Sequence, residues 1–333
     1  MTEMSRPPLP VDGAALASIA LCTYNGGRFL RAQLDSLLGQ DYPSLEIVAV
    51  DDGSTDGSWE ILEEYARRDA RLRIHRNPDN LGFIGNFERA MSLCRGEYIA
   101  LSDQDDIWDP RKLSILVARI GSHSAIYSDA ELIDEHGHAL GMRSSSRMYM
   151  YRGADPAAFV FFNCVSGHAM MIRRELLAAA LPFPRIRFHD WWLAFVAASF
   201  GGVEYVDQPL VQFRQHEAAR TDMAKRKKKA KKDRIEVFEE RAQWLRELAR
   251  VPSPHQGYFL AFFRSWVGLA SHRYVSLLLL WLMWRRRQAL FFIDRTIRPI
   301  WFKTLVEHVQ GFPLRQRRDP VHYPRLPSNL PTL

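Results

Sequence analysis

Apolar positions in the first half of the chain alternate between two patterns. Short β-branched or continuous runs, "ASIALCTYN", "LEIVAVDDGSTDG", "RLRIHRN", "EYIALSDQDD" and "HSAIYSDAEL", read as strands that end in polar tips. Between them, apolar residues recur three and four apart. GGRFLRAQLDSLLGQ sets Phe29, Leu30, Leu34, Leu37 and Leu38 on one helical face, and SWEILEEYARRD, IGNFERAMSLC and DPRKLSILVARI repeat the spacing. Repeated strand–helix–strand crossovers predict an α/β fold: a mostly parallel, Rossmann-like sheet flanked by helices. From 132 to 160 the pattern blurs, and a long loop over the site is expected there. FNCVSGHAMMIRRELL then resumes a strand and a helix, RIRFHDWWLAFVAASFG is helical with an acid–aromatic start, and GGVEYVDQPLVQFRQH predicts two short strands.

After His216 the character changes, which divides the chain into three expected parts. Residues 1–15 form a polar, proline-rich N-terminus without fixed structure, 16–220 an α/β domain, and 221–333 a basic, aromatic-rich helical extension. The net charge of +7 is concentrated in that extension, in KRKKKAKK (225–232) and Arg285–Arg287. Such a concentration points to an anionic partner. The run lacks the interleaved aromatics of single-strand readers, so a nucleic acid is not expected and an anionic membrane surface is. VSLLLLWLMW (275–284) falls short of the roughly 20 residues a spanning helix needs. It reads as an interfacial segment, with a buried core helix as the alternative. The three cysteines lie far apart without metal-ligand spacing, and the N-terminus lacks a signal-peptide core. A cytoplasmic protein, peripheral on the inner face of the plasma membrane, is the expectation.

The candidate chemistry sits at the strand ends, where open sheets of this type bind ligands. Thr23, Tyr24 and Asn25, then Asp51 and Asp52, then Asp103, Asp105 and Asp106 fall along one predicted edge. Three carboxylates within four positions repel one another unless protonated, paired or metal-bound. Mg²⁺ and Mn²⁺ favour such oxygen ligands. DDGSTDGSWEILEE approximates a calcium loop counted from Asp52, but a strand precedes it where that motif needs a helix. Asp190 opens an apolar helix and suits the positive end of its dipole. It reads equally as a cap or as a general base raised in pKa beside Trp191 and Trp192. Arg214 and His216 follow a strand, with side chains suited to a diphosphate and to a metal.

Taken in order, "ALCTYNGGRFLRAQLDSLLGQDY", "IVAVDDGSTDGS", "NLGFIGNFERA", "ALSDQDDIWDPRKL", "HDWWLA" and "FRQH" resemble the inverting family-2 glycosyltransferases with the A-type fold. The resemblance runs from about residue 16 to 218, and SDQDDIW with HDWW is most similar to the rhamnosyltransferase branch. It implies transfer of a sugar, rhamnose from dTDP-rhamnose, to a bacterial surface glycan or polyprenyl-linked acceptor by single displacement. It implies donor contacts from Thr23, Tyr24, Asn25, Asp51, Asp52, Asp103 and Arg214, and Asp190 as the base. Asp105, Asp106 and His216 would supply the ligands of a Mg²⁺ or Mn²⁺ ion, with the choice between the two aspartates open. The competing reading is a non-catalytic α/β module that binds nucleic acid or membrane through its basic C-terminal region.

Overall fold

A computed structural model describes residues 13–217, 234–271 and 276–293. Residues 1–12 and the basic run at 225–232 lie outside the described residues. The chain opens with β1 (Ala17–Thr23), α1 (Gly27–Leu38), β2 (Leu45–Asp51), α2 (Ser58–Arg68), β3 (Leu72–Arg76), α3 (Gly82–Leu93) and β4 (Tyr98–Ser102). All seven residues of β1 and all seven of β2 are buried, as expected of strands covered on both faces. Their alternation sorts them between two cores. Ala20, Cys22, Val48, Val50, Ile99 and Leu101 face one. Ala17, Ile19, Leu21, Ile47, Ala49 and Ala100 face the other, against α1 and α2.

The second half continues with β5 (Ile107–Trp108), α4 (Lys112–Arg119), β6 (Ala125–Ile133), β7 (Ala139–Arg143), β8 (Met170–Arg173), α5 (Leu177–Ala180), α6 (His189–Phe200) and β9 (Val203–Arg214). The strands form one sheet in the order β3-β2-β1-β4-β8-β6-β9-β5, with β7 beside β6. Strands β3, β2, β1 and β4 run parallel, as the crossovers predict. Beyond them β8 pairs antiparallel with both β4 and β6. Two expectations are corrected in this half. The region 132–160 contains β7 and short 3₁₀ turns at Ser144–Ser146 and Pro156–Phe159, so it is not simply a loop. The two short strands expected at 203–214 are one strand, β9, whose pairing with β6 shifts register around Asp129 and Pro209. Proline has no N–H to give a ladder, and the bulge absorbs it without ending the strand.

The two-residue strand β5 matters more than its length suggests. It pairs Ile107 with Gln212 and Trp108 with Val211, pulling the acidic stretch before it against the end of β9.

The remaining helices, α7 (Arg234–Arg250), α8 (Gln256–Ser271), α9 (Leu277–Arg285) and α10 (Arg287–Leu290), pack onto α6 and the Pro156–Phe159 turn. The Trp244 indole donates to Val160 O at 3.1 Å and lies against Trp191 and Trp192, while Phe259 meets Phe195 at 5.0 Å. These aromatic contacts make one core of the sheet and the C-terminal helices. Trp244→Ala is expected to cost about 3–5 kcal/mol, as for other buried Trp truncations. Urea unfolding should then show one transition by both tryptophan fluorescence and circular dichroism. Two separated transitions would mean that the helices melt independently. Among the described residues no helix is long and apolar enough to cross a membrane.

Candidate active site

Loops after β1 and β2 are laced together before any ligand is considered. The Asp51 carboxylate is fully buried and accepts from Thr23 Oγ1 (3.1 Å), Ser54 N (3.0 Å) and Ser54 Oγ (2.5 Å). Asp52 is buried too, its Oδ1 taking Asn77 Nδ2 at 2.6 Å and Leu81 N at 2.8 Å. Asn25 adopts a left-handed φ of 49° and bonds to Ser54 and Thr55 across the gap. That conformation is one that Asn tolerates better than most residues. Tyr24 differs from these neighbours. Its backbone is held both ways by the Gln104 side-chain amide, yet its residue is 51% exposed. Thr23, Asp51 and Asp52 therefore shape this edge from within, and the Tyr24 ring faces outward from it.

The acidic stretch divides by burial. The Asp103 side chain is 44% exposed, Asp105 19% and Asp106 not at all. Asp105 Oδ2 lies 2.9 Å from His216 Nε2, and the His216 ring packs on Phe29. Asp106 points the other way. Its Oδ1 accepts the Arg214 N–H at 3.0 Å, while its buried Oδ2 has no hydrogen-bond partner among the described residues and lies 3.6 Å from His168 Nδ1. The expected ligand set of Asp105, Asp106 and His216 is thus split between two sides of the stretch. Among the described residues, the group of three whose ligand atoms all lie within 4.8 Å of one another is Asp103, Asp106 and His168.

Burial governs the charges here. It pushes the Asp106 carboxyl well above the usual range, helped by Asp105 and Asp103 and opposed by the Arg214 N–H and Lys112. Lys112 is itself fully buried, with Nζ donating to His168 O at 2.5 Å and lying 3.1 Å from the Trp108 ring centroid. Desolvation lowers it, and the charges of Asp106 and Asp103 hold it up. His168 is pushed down to about 3 by burial and then by Lys112, and its Nε2 has no hydrogen-bond partner among the described residues. Neither His168 nor Lys112 stands out in the sequence. One sits in an apolar run before a strand, and the other on a helix whose polar positions normally face water.

Arg214 is placed beside the acids but is largely engaged. Its Nε donates to Asp105 O at 2.9 Å, and Nη1 donates to Asp134 O and Glu135 O at 3.2 and 3.1 Å. The guanidinium also lies 4.8 Å from the Phe29 ring. It ties the acidic stretch to the β6–β7 turn and leaves Nη2 as the nitrogen without such a bond among the described residues.

Asp190 lies in the first turn of α6, where nine of twelve residues are buried. Its carboxylate accepts from Trp191 N (2.5 Å), Gly167 N (3.1 Å) and Asn163 Nδ2 (3.3 Å). Burial nevertheless raises it to about 6, against the lowering effect of the backbone N–H groups. The tryptophans that follow are anchored by their indoles, Trp191 to Phe159 O and Trp192 to Ala180 O, so the turn is fixed.

One short 3₁₀ turn, Gly167–Ala169, joins the two groups of acids. Gly167 gives its N–H to Asp190, and the next residue, His168, faces Asp106 and Asp103. A Cβ on Gly167 would come within 2.9 Å of His189 Nε2 and 3.7 Å of Asp190 Cβ. Gly167→Ala is therefore expected to cost about 1–3 kcal/mol by overpacking. Gly268→Ala, in α8 where an added Cβ would meet nothing within 4 Å among the described residues, should instead stabilise by about 0.5–1 kcal/mol. Urea midpoints of the two variants check both signs.

Known proteins share part of this sequence and its fold. Residues 18–180 match the family model described as Glycosyl transferase family 2. An "Uncharacterized glycosyltransferase" of Haemophilus influenzae is 26% identical over 219 residues, covering 62% of this chain and 67% of that protein. "Glycosyltransferase GlyG" of Streptococcus pneumoniae is 33% identical over 110 residues, 33% of this chain and 36% of its own. The crystal structure of S. aureus TarS 1–349 in complex with UDP-GlcNAc superposes with a TM-score of 0.55 at 18% identity, covering 89% of each chain. That is a likeness of fold, and it marks the sheet and its helices as GT-A-like.

Proposed function

We propose that this chain, in which residues 18–180 are a glycosyl transferase family 2 domain, is an inverting glycosyltransferase that uses Asp190 as its base. The single observation that carries the reading is the Gly167–Ala169 turn, which holds Asp190 on one side and meets Asp103 and Asp106 on the other. A base and an acidic donor edge are thereby supported by consecutive residues.

The chemistry follows from the residue types. Above about pH 6 Asp190 is ionised and takes the proton of an acceptor hydroxyl. That oxygen forms a bond to the anomeric carbon as the bond to the diphosphate breaks, and the nucleoside diphosphate leaves from the opposite face. One displacement inverts the centre. The outward ring of Tyr24 offers a face to the nucleobase, and the exposed Asp103 reaches the ribose or sugar. Asp51, Asp52, Thr23 and Asn25 act by fixing that edge, since Thr23 Oγ1, Asn25 Oδ1, both Asp51 oxygens and Asp52 Oδ1 are engaged within the protein. The remaining Nη2 of Arg214 is the part of that side chain left for a phosphate oxygen.

The residues present fit a hard divalent ion on the open side of the acidic stretch. Asp105 and His216 converge there, partly accessible, whereas Asp106 and His168 are shut away from solvent. Mg²⁺ sheds its waters reluctantly, which favours the accessible pair. Asp105 and His216 would hold Mg²⁺ or Mn²⁺, with Asp106 behind them, and the ion would supply positive charge to the departing diphosphate.

Sequence resemblance favours rhamnose from dTDP-L-rhamnose, moved onto a hydroxyl of a bacterial cell-surface glycan or polyprenyl-linked precursor. The protein would work in the cytoplasm, peripheral on the inner face of the plasma membrane. UDP-GlcNAc, the ligand of the TarS crystal, is the natural rival donor. Thermal shift across dTDP-rhamnose, UDP-GlcNAc and GDP-mannose, each with and without Mn²⁺, tests the donor. A ligand at a hundred times its Kd should stabilise by about 2.7 kcal/mol, and only one sugar should do so strongly. A flat response to every nucleotide sugar, or a product with retained anomeric configuration by NMR, would sink the reading.

A further inference from the structure

We infer that α9 is a membrane-docking helix that lies in the plane of an anionic lipid surface. This deepens the proposed function by naming the face that meets the membrane, and it rests on that reading only for its purpose. The helix is unusual in what it leaves uncovered. Leu279, Leu282 and Met283 point into the core, but Leu277 is 79% exposed, Leu278 52%, Trp281 48% and Trp284 53%. At 3.6 residues per turn these four fall within an arc of roughly 120°. Large apolar residues gathered on one solvent face of a helix are costly in water and mark an interaction surface.

The chemistry of the rim identifies the partner. Arg285 lies 5.2 Å from the Trp281 ring, and Arg287 lies 4.7 Å from that of Trp284. Leu and Trp to embed, with arginines stacked along their edge, match the boundary between acyl chains and anionic headgroups. A protein partner of ordinary kind would not require that positive rim, and a nucleic acid would not reward the leucines. The helix has nine residues, so it lies on a bilayer and does not span it. The sequence supplies further positive charge in KRKKKAKK at 225–232. Anionic lipid attracts such runs.

The docking helix is also tied to the site. Arg286, between α9 and α10, holds Asp155 at 2.5 Å, and Asp155 caps the Pro156–Phe159 turn by accepting Ala157 N. Phe159 O in turn receives the indole of Trp191, the residue after Asp190. A membrane-borne acceptor would thus meet a base whose support is braced against the docking helix.

Co-sedimentation of the full chain with phosphatidylcholine vesicles, with and without phosphatidylglycerol, tests the inference. Binding is expected to the anionic vesicles, to weaken as salt rises, and to fall by roughly ten-fold or more in the double variant Trp281→Ser/Trp284→Ser. Those residues are exposed, so the variant should keep its near-ultraviolet circular dichroism and its nucleotide-sugar hydrolysis. Failure of the wild type to bind anionic vesicles would overturn the proposal, and so would equal binding by the double variant. Concentration-dependent self-association that the double variant abolishes, without vesicle binding, would also overturn it by assigning the face to a second copy. Because hydrolysis is measured separately, losing this inference leaves the glycosyltransferase reading standing, and losing that reading leaves the vesicle result intact.

Discussion

Asp190→Asn is expected to slow sugar transfer by about 10²–10⁴-fold, the usual share of a positioned general base. The substitution keeps the shape of the side chain and an acceptor at Oδ1 for the Trp191 N–H, giving up the Gly167 bond to Oδ2, so donor binding by thermal shift should persist. Turnover retained at the wild-type level would remove Asp190 from the mechanism. The wild-type pH profile gives a second measure. With the carboxyl raised to about 6, kcat/KM should climb with pH through that value and fall below it. Stability should run the other way. A carboxyl raised on folding contributes stability that is full below the usual carboxylate range near 3.8 and is lost as pH rises through about 6. That is on the order of 3 kcal/mol at neutral pH. Burying this acid is a stability cost, of the kind that clusters at functional sites. An acid limb far from pH 6, or stability that is flat across that window, would contradict the assignment.

The second large effect concerns Asp105. Asp105→Asn retains a partner for His216 but loses the charge that an ion needs. The metal concentration for half-maximal turnover should rise by roughly a hundred-fold, since even the outer partners of metal ligands are worth ten- to a hundred-fold. Chelation of the wild type should abolish turnover, with Mn²⁺ or Mg²⁺ restoring it. His168→Gln distinguishes the two sides of the acidic stretch. If Asp105→Asn leaves the metal requirement unchanged and His168→Gln shifts it, the ion belongs to the Asp103–Asp106–His168 group.

The elements themselves were legible because periodicity is local. Strand β1 and helix α1 announce themselves within a dozen residues, and so does the crowding of Asp103, Asp105 and Asp106 after an apolar run. Asp190 stood out for the same reason, as a carboxylate opening an otherwise apolar helix. The antiparallel insertion of β8 between β4 and β6 had no such signature, because pairing partners are chosen across the chain.

What the sequence by itself determined is the inventory: an α/β sheet, acids at the strand ends, and an apolar segment at 275–284 edged by arginines. Only the tertiary structure decided how that inventory is oriented. It turned Asp106 inward toward His168 and Asp105 outward toward His216, although the two are neighbours in the chain. It buried Lys112 and the carboxylates of Asp51 and Asp52, and it chose which face of α9 meets water. The reason is physical. Periodicity fixes where a side chain points relative to its own element, whereas desolvation, charge pairing and exposure depend on which distant residues pack against it.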